Sequence, residues 1–212
     1  MSGSTGPRPG GSAEPAWLVV VDMQVIFARP GSPWRTPGFA DAAAGISRLL
    51  PAFGDRVVYT RFVAPEKPTG AWVDYYRDWP FALVPPDSPD YDLVPELPAA
   101  GHPVVSETTF GKWGPALAEA VGGGTELVLT GVSTDCCVLS TALGAADAGV
   151  HARVVSDACA GLSEADHRRA LDTMALYQPF LEVVTVSDVL GSGVLGSGVL
   201  GSGVLGEPVT GR

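Results

Sequence analysis

The chain has 212 residues, of which 46% are hydrophobic and 17% charged, so it is long enough for one domain with a sizeable core. Its formal net charge of −10 argues against nucleic acid as a partner, because nucleic-acid-binding surfaces carry excess positive charge. No basic run indicates a membrane surface, and no apolar run approaches the roughly 18 residues that a membrane-spanning helix needs. We therefore expect a globular protein that binds neither nucleic acid nor a membrane surface.

The two ends of the chain differ in composition from its middle. Residues 1–15 are rich in Gly, Ser and Pro, and they lack the apolar stretch of roughly 7–15 residues that a secretory signal requires. From residue 189 the unit Val-Leu-Gly-Ser-Gly repeats three times and begins a fourth, a period that matches neither helix nor strand. We predict a disordered tail over residues 1–15, a domain over residues 16–188, a flexible tail over residues 189–212 and a cytoplasmic location. The alternative for the repeat is a sticky segment that docks on a partner or a neighbouring subunit.

Short apolar runs alternate with helical patterns between these two ends. Continuous Val- and Leu-rich runs are typical of parallel strands that are buried on both faces. The predicted strands cover residues 17–21, 57–62, 103–106, 126–130, 152–156 and 181–186. The predicted helices cover residues 39–53, 113–121, 134–148 and 163–178, and residues 63–98 are predicted to form a long loop. We predict a three-layer α/β fold of Rossmann-like type, with a six-stranded, mostly parallel sheet covered by helices on both faces.

Residues that could carry out catalysis follow two of these strands. Asp22 comes directly after the first strand, and Cys136 and Cys137 lie in the turn after the fourth strand. Ligands of such sheets bind at the carboxyl ends of the strands. Backbone N–H groups and the helix dipole at the start of a helix favour a thiolate and can hold an oxyanion. Asp22 is the candidate general base for the thiol, and the alternative is that it caps a helix or holds a loop.

Several segments, taken together, resemble those of the isochorismatase-like cysteine hydrolases. These are residues 18–24 (LVVVDMQ), 129–138 (LTGVSTDCCV), 141–142 (TA) and 154–160 (VVSDACA), which match in order and spacing. The resemblance extends from about residue 17 to residue 186. It implies that Asp22 is the catalytic aspartate and that Cys137 is the nucleophile, since Cys136 falls at a variable position. It also implies a cis peptide bond between Val132 and Ser133, which would direct backbone N–H groups of the turn and of Cys137 at an oxyanion.

The resemblance further implies a lysine after the third strand, a few residues before an aromatic–glycine pair. Residues 113–114 align with this pair, which places Glu107 at the lysine position. A glutamate there would add a negative charge near Asp22, raise the pKa of at least one carboxyl group and disfavour the thiolate. Lys112 or Arg61 could supply the cation instead, although a lysine at the start of a helix is more often solvated.

Aromatic residues are candidates for a pocket wall. Residues 72–81 contain five aromatic side chains, and such clusters usually belong to a core or a subunit interface. At the rim of a site at the strand ends they could instead form an apolar wall. The candidates for that wall are Phe27, Trp34, Trp79 and Trp113.

No metal site or cofactor is expected. The three cysteines lack metal-type spacing and are expected to be reduced thiols. The three histidines, His102, His151 and His167, are scattered, and His167 has the pattern of a surface residue. Family members that hydrolyse nicotinamide hold a metal through an Asp-x-His pair, and residues 60–63 (TRFV) stand at that place here. The resemblance also implies a homo-oligomer, a dimer or a tetramer.

These observations predict a hydrolase that cleaves an amide or related C–N bond of a small molecule through an acyl-enzyme. Glu107 leaves two alternatives open. The first is the same fold with non-covalent or lyase-type chemistry. The second is a catalytically degenerate scaffold or interaction protein.

Overall fold

A computed structural model describes residues 15–191, in which six strands form one parallel sheet. The strands are β1 (Trp17–Val21), β2 (Val57–Phe62), β3 (Val104–Glu107), β4 (Glu126–Val132), β5 (His151–Ala160) and β6 (Leu181–Val184). They are arranged in the order β3-β2-β1-β4-β5-β6, and every pairing is parallel. The central strands β1 and β4 are buried along nearly their whole length, which explains their uninterrupted apolar sequences.

Helices cover both faces of the sheet, so the predicted three-layer α/β architecture is confirmed. Over residues 15–191 they are α1 (Val25–Ala28), α2 (Phe39–Phe53), α3 (Ala71–Asp78), α4 (Pro115–Ala120), α5 (Leu139–Asp147), α6 (Glu164–Ala175) and α7 (Val186–Gly191). One apolar core joins α2 and α7 to one face of the sheet, and a second core joins α4, α5 and α6 to the other. No helix in the described part of the chain is long and apolar enough to cross a membrane.

Two sequence predictions about irregular segments need correction. The predicted loop over residues 63–98 contains the helix α3 and two short 3-10 turns, Pro80–Ala82 and Pro89–Tyr91. The predicted flexible C-terminal tail begins too early, because residues 189–191 complete α7 and Val189 is only 1% exposed. The predicted N-terminal tail and the rest of the repeat lie almost entirely outside the described residues.

Gly131 lets β4 approach β1 very closely at the end of the sheet that carries the site. Its φ is +110°, and a Cβ atom built there would lie 2.1 Å from the carbonyl oxygen of Val21. No other residue type tolerates both conditions. The pairing of β4 with β5 also shifts register between Leu129 and Gly131. This irregular strand end brings the turn after β4 beside Asp22, the residue that follows Val21.

Candidate active site

Asp22 is fully buried at the carboxyl end of β1 and has a φ of +49°. A positive φ is uncommon for a residue other than glycine and is often found at functional sites. The Asp22 N–H donates to Thr60 Oγ1 at 3.2 Å, and Thr60 Oγ1 donates to Asp22 Oδ1 at 2.7 Å. Its carboxylate caps no helix, since α1 begins after Gln24 without a side-chain cap. The arrangement leaves Asp22 Oδ2 for other partners.

Lys112 supplies that partner. Its Nζ lies 3.1 Å from Asp22 Oδ2, and both side chains are fully buried. The ammonium group also donates to the carbonyl oxygen of Thr109 at 2.6 Å and lies 5.1 Å from the centre of the Phe62 ring. The expectation of a solvated lysine is therefore wrong. Each of these buried charges compensates the other, because a single buried charge without a partner is strongly unfavourable.

Glu107 and Arg61, the other two residues considered for this position, lie elsewhere. Glu107 ends β3, which is separated from β1 by β2, and its carboxylate forms no ion pair with any residue in the described range. The Arg61 guanidinium donates to Ser106 Oγ at 3.1 and 3.2 Å. The assignment of Glu107 to the lysine position is thus corrected in favour of Lys112, which directly precedes the aromatic–glycine pair.

The turn after β4 carries Cys137. Residues Thr134–Val138 form one π-helical turn, and α5 follows it, so the predicted helix over residues 134–148 begins irregularly. The carbonyl oxygen of Ser133 accepts from the N–H groups of Cys136 and Val138, both at 3.1 Å. The peptide bond between Val132 and Ser133 is cis, as the resemblance implied.

Thr141 connects this turn to the lysine. Its Oγ1 donates to the carbonyl oxygen of Cys137 at 2.7 Å and accepts from the backbone N–H of Lys112 at 2.9 Å. One buried hydroxyl therefore fixes both the cysteine turn and the segment that carries the cation. The sequence comparison marked Thr141 as a matching position but gave it no role.

The thiol of Cys137 is buried, and its surroundings disfavour the thiolate. Its hydrogen bond with Cys136, its burial and the Asp22 carboxylate raise the pKa of Cys137 well above the usual value, while Lys112 acts in the opposite direction. The same thiol–thiol hydrogen bond lowers the pKa of Cys136. Both charges of the ion pair thus act on the Cys137 sulfur. A thiol with a raised pKa needs a base before it can act as a nucleophile.

Two further side chains hold the cysteine turn against the start of α6. Thr134 Oγ1 and His167 Nδ1 are hydrogen-bonded at 2.8 Å, and the N–H of Leu162 donates to Asp135 Oδ1 at 2.9 Å. His167 is half-buried, so its interpretation as a simple surface residue is wrong. No sequence pattern predicts this contact, since residues 134 and 167 are far apart in the chain and lie together only in the folded structure.

A cavity of about 270 Å³ opens onto the two cysteines. Its lining residues are Phe27, Pro33, Trp34, Thr36, Phe62, Tyr75, Trp79, Phe110, Ser133, Cys136, Cys137 and Leu162. Three of the four predicted wall residues are among them. Trp113 is not, since it packs against Gly144 of α5 in the core on the α5 side of the sheet. A larger groove, of about 610 Å³, lies beside α1 and α2 and contains neither Asp22 nor Cys137.

No group of three or more metal-ligating side chains is close enough to hold a metal ion within residues 15–191. The histidines have other partners: His102 lies beside the Tyr59 ring, His151 stacks on Phe180, and His167 bonds Thr134. The three cysteines are free thiols. The groups that act together at this site are a thiol, a carboxylate and an ammonium group.

The model of the Isochorismatase domain family matches residues 16–188, and the chain belongs to this family. Curated relatives include isochorismatase domain-containing protein 2A from Mus musculus, 40% identical over 91 residues, and isochorismatase domain-containing protein 2 from Xenopus laevis, 36% identical over 91 residues. Each of these alignments covers 42% of this chain and 44% of the relative, so the similarity spans less than half the length of the curated relatives.

Solved structures share the fold over most of the chain. A cysteine hydrolase from Pseudomonas syringae pv. phaseolicola 1448A has a TM-score of 0.75 at 23% identity, covering 90% of this chain and 97% of its own. An isochorismatase-like hydrolase from Alkaliphilus metalliredigens gives 0.72 at 24% identity, with coverages of 84% and 98%. A pyrazinamidase from Pyrococcus horikoshii, solved in complex with zinc, gives 0.66 at 24% identity, with coverages of 81% and 99%.

Proposed function

We propose that the protein is a cysteine-dependent hydrolase that cleaves an amide or related C–N bond of a small molecule. One observation carries the proposal: Cys137 lines a cavity, and the buried Asp22–Lys112 pair acts on its thiol. A nucleophile that lines a cavity, with a carboxylate and a cation that act on its thiol, supplies the components of acyl transfer.

Acylation begins with the proton of the Cys137 thiol, which passes to the Asp22 carboxylate. The thiolate then attacks the carbonyl carbon and forms a tetrahedral intermediate with a negatively charged oxygen. Backbone N–H groups of the turn, at Ser133 and Cys137, would stabilise that oxygen. When the C–N bond breaks, Asp22 returns the proton to the leaving nitrogen, and a thioester remains on Cys137.

Deacylation repeats the same steps with water. Asp22 takes a proton from water, and the resulting hydroxide attacks the thioester carbonyl. The C–S bond breaks, the proton returns to the sulfur, and a carboxylic acid leaves. Asp22 is therefore needed in both halves of the reaction, as base and then as acid.

Lys112 supplies the positive charge beside Asp22. Its ammonium group lies 3.1 Å from Asp22 Oδ2, and it favours the Cys137 thiolate as that forms. The two alternative functions both depended on Glu107 taking the place of a lysine. Since Lys112 occupies the position beside Asp22, that reason for altered or lost chemistry no longer holds.

The test compares Cys137→Ala with Cys159→Ala, a second buried free cysteine on β5 that does not line this cavity. With a panel of small amides, we expect ammonia release by the wild type and by Cys159→Ala and none by Cys137→Ala. Intact-mass spectrometry after rapid acid quench should show an acyl adduct on the wild type, mapped to Cys137. Full activity of Cys137→Ala would exclude the covalent mechanism.

A further inference from the structure

Within residues 15–191, the wall of the cavity above Cys137 contains no charged side chain. The lining residues are aromatic or aliphatic, or carry only a hydroxyl or thiol group. The charges that act on Cys137, Asp22 and Lys112, are fully buried and paired with each other at 3.1 Å. Lys112 also donates to the carbonyl oxygen of Thr109, is fully buried and is not among the lining residues. A charged group of a ligand therefore has no free counter-charge in the wall.

A negative charge contacts one residue of the wall. The Asp135 carboxylate opposes ionisation of Cys136 and accepts a hydrogen bond from the N–H of Leu162, and both of these residues line the cavity. The whole chain has a net charge of −10. Arg35 lies between two lining residues in sequence, but its side chain borders the separate groove beside α1 and α2. An approaching anion is therefore opposed locally and at long range.

The polar groups of the wall offer hydrogen bonds without charge. Burial raises the pKa of Tyr75, so its phenol stays neutral. Thr36 Oγ1 is buried and has no hydrogen-bond partner within the described residues. An ionised group that loses its water and gains only neutral neighbours pays a large desolvation penalty. A neutral ligand incurs no such penalty and gains contact with the aromatic rings.

We propose that this site selects uncharged small amides with an apolar acyl part and rejects amides that carry a carboxylate. The proposal rests on the hydrolase function above for its substrate and on the wall alone for its selectivity. An apolar cavity of about 150 Å³ holds one benzene ring. The volume of about 270 Å³ therefore accommodates one ring-sized acyl group together with the amide.

Alkylation of Cys137 measures this selectivity without requiring hydrolysis. Iodoacetamide is neutral and iodoacetate is an anion of similar size, and both alkylate a thiolate. Their rate constants at Cys137, resolved from Cys136 by tandem mass spectrometry, are divided by those for 2-mercaptoethanol at the same pH. We expect the normalised preference for iodoacetamide to be about a hundredfold or more, the effect of placing an uncompensated charge in the cavity. A ratio near one, or a preference for iodoacetate, would overturn the proposal.

A matched pair of variants places the selectivity in this wall. Leu162 lines the cavity but is 52% exposed, so Leu162→Arg adds a cation at the rim without burying it. The control position is Leu176, which follows α6, is 82% exposed and lies outside the cavity. Leu162→Arg should reduce the normalised preference at least about tenfold, and Leu176→Arg should leave it unchanged. An equal effect of both variants would contradict selection by the wall.

An amide panel then separates this proposal from the proposed function. Benzamide, 3-carbamoylbenzoate and 3-(trimethylammonio)benzamide share one reacting group and differ in charge. We expect kcat/KM to be highest for benzamide. Faster hydrolysis of either charged amide would overturn the selectivity and leave the hydrolase intact. Hydrolysis of no amide would count against the proposed function, and the alkylation ratio would still decide the selectivity.

Discussion

The buried pair of Asp22 and Lys112 is the most consequential interaction at the scale of single residues. Each charge is fully buried, and each is the other's counter-ion at 3.1 Å. The geometry leaves Asp22 Oδ2 without a well-directed hydrogen-bond donor, although Lys112 lies close to it. That oxygen is electrostatically stabilised yet free to accept a proton. A base with these properties suits the transfer that the proposed mechanism requires.

Replacement of Lys112 should impair both folding and activity. Lys112→Met keeps the length of the side chain but leaves the Asp22 carboxylate buried without a counter-charge. We expect the free energy of unfolding to fall by about 3–5 kcal/mol, as for other broken buried pairs, and amide hydrolysis to fall with it. Urea denaturation and steady-state kinetics measure the two effects.

Two substitutions serve as controls for this prediction. Lys67 is exposed, so Lys67→Met should change neither quantity. Glu107→Gln removes a charge that makes no ion pair within the described chain, and we expect kcat/KM within about twofold of the wild type. A large loss in Glu107→Gln together with a mild effect of Lys112→Met would restore Glu107 as the functional residue of this position.

At the scale of secondary-structure elements, the candidate active site depends on the contacts that fix the irregular turn after β4. The π-helical turn Thr134–Val138 is fixed from inside by Thr141 and from outside by contacts with the start of α6. Thr141 has two partners, since its hydroxyl donates to the carbonyl of Cys137 and accepts from the N–H of Lys112. The positions of nucleophile and cation are thereby linked.

Thr141→Val should reduce the rate of amide hydrolysis more than Thr173→Val, the same change at a threonine outside the site. Thr173 of α6 makes the same type of bond, since its Oγ1 donates to the carbonyl of Arg169 at 2.8 Å. Thr141→Val also leaves the buried N–H of Lys112 without an acceptor, at a cost of about 1–3 kcal/mol. We expect kcat to fall about tenfold or more in Thr141→Val and to be unchanged in Thr173→Val. Equal kinetics of the two variants would show that the link is not needed.

The strands could be predicted from sequence more reliably than the shortest helices. Uninterrupted apolar runs such as residues 17–21 have no other stable place than a sheet buried on both faces. Helix α7 was missed because the glycine-rich repeat dominates its composition. A local signal exists, since Thr185 and Asp188 form a capping box in which the Asp188 carboxylate accepts the Thr185 N–H at 2.8 Å.

The sequence predicts that Asp22 and Cys137 lie together in the candidate active site, but it does not predict the position of Lys112. Asp22 and Cys137 follow buried strands, and parallel strands bring such residues to one edge of the sheet. Lys112 lies in the loop after β3. Because loops vary in length, aligning this segment with the family pattern does not fix which residue takes the lysine position. Lysine is usually exposed, so only the structure shows that this one is buried beside Asp22. The residues of the cavity wall also come from several loops, and hydrophobic periodicity does not predict which loops contact one another.

At the scale of the whole molecule, α7 belongs to the folded domain. Its buried residues Val186 and Val189 join the core shared with α2, and the Val186 N–H donates to Asp157 Oδ1 at 2.7 Å. The sheet, both cores and the Cys137 cavity lie within residues 15–191. The folded domain therefore includes residues 189–191, which the sequence analysis assigned to the tail.

Two truncated chains test this assignment. Deletion of residues 186–212 removes two buried valines, each contributing about 1.5 kcal/mol or more, and should lower the free energy of unfolding by about 3 kcal/mol or more. Deletion of residues 192–212 leaves every described residue in the chain and should leave both unfolding and amide hydrolysis unchanged. Urea denaturation of the full chain and the two truncations gives the comparison. If the shorter deletion also lowers stability or activity, the repeat docks on the folded unit or on a neighbouring copy, and the prediction of a flexible tail is wrong.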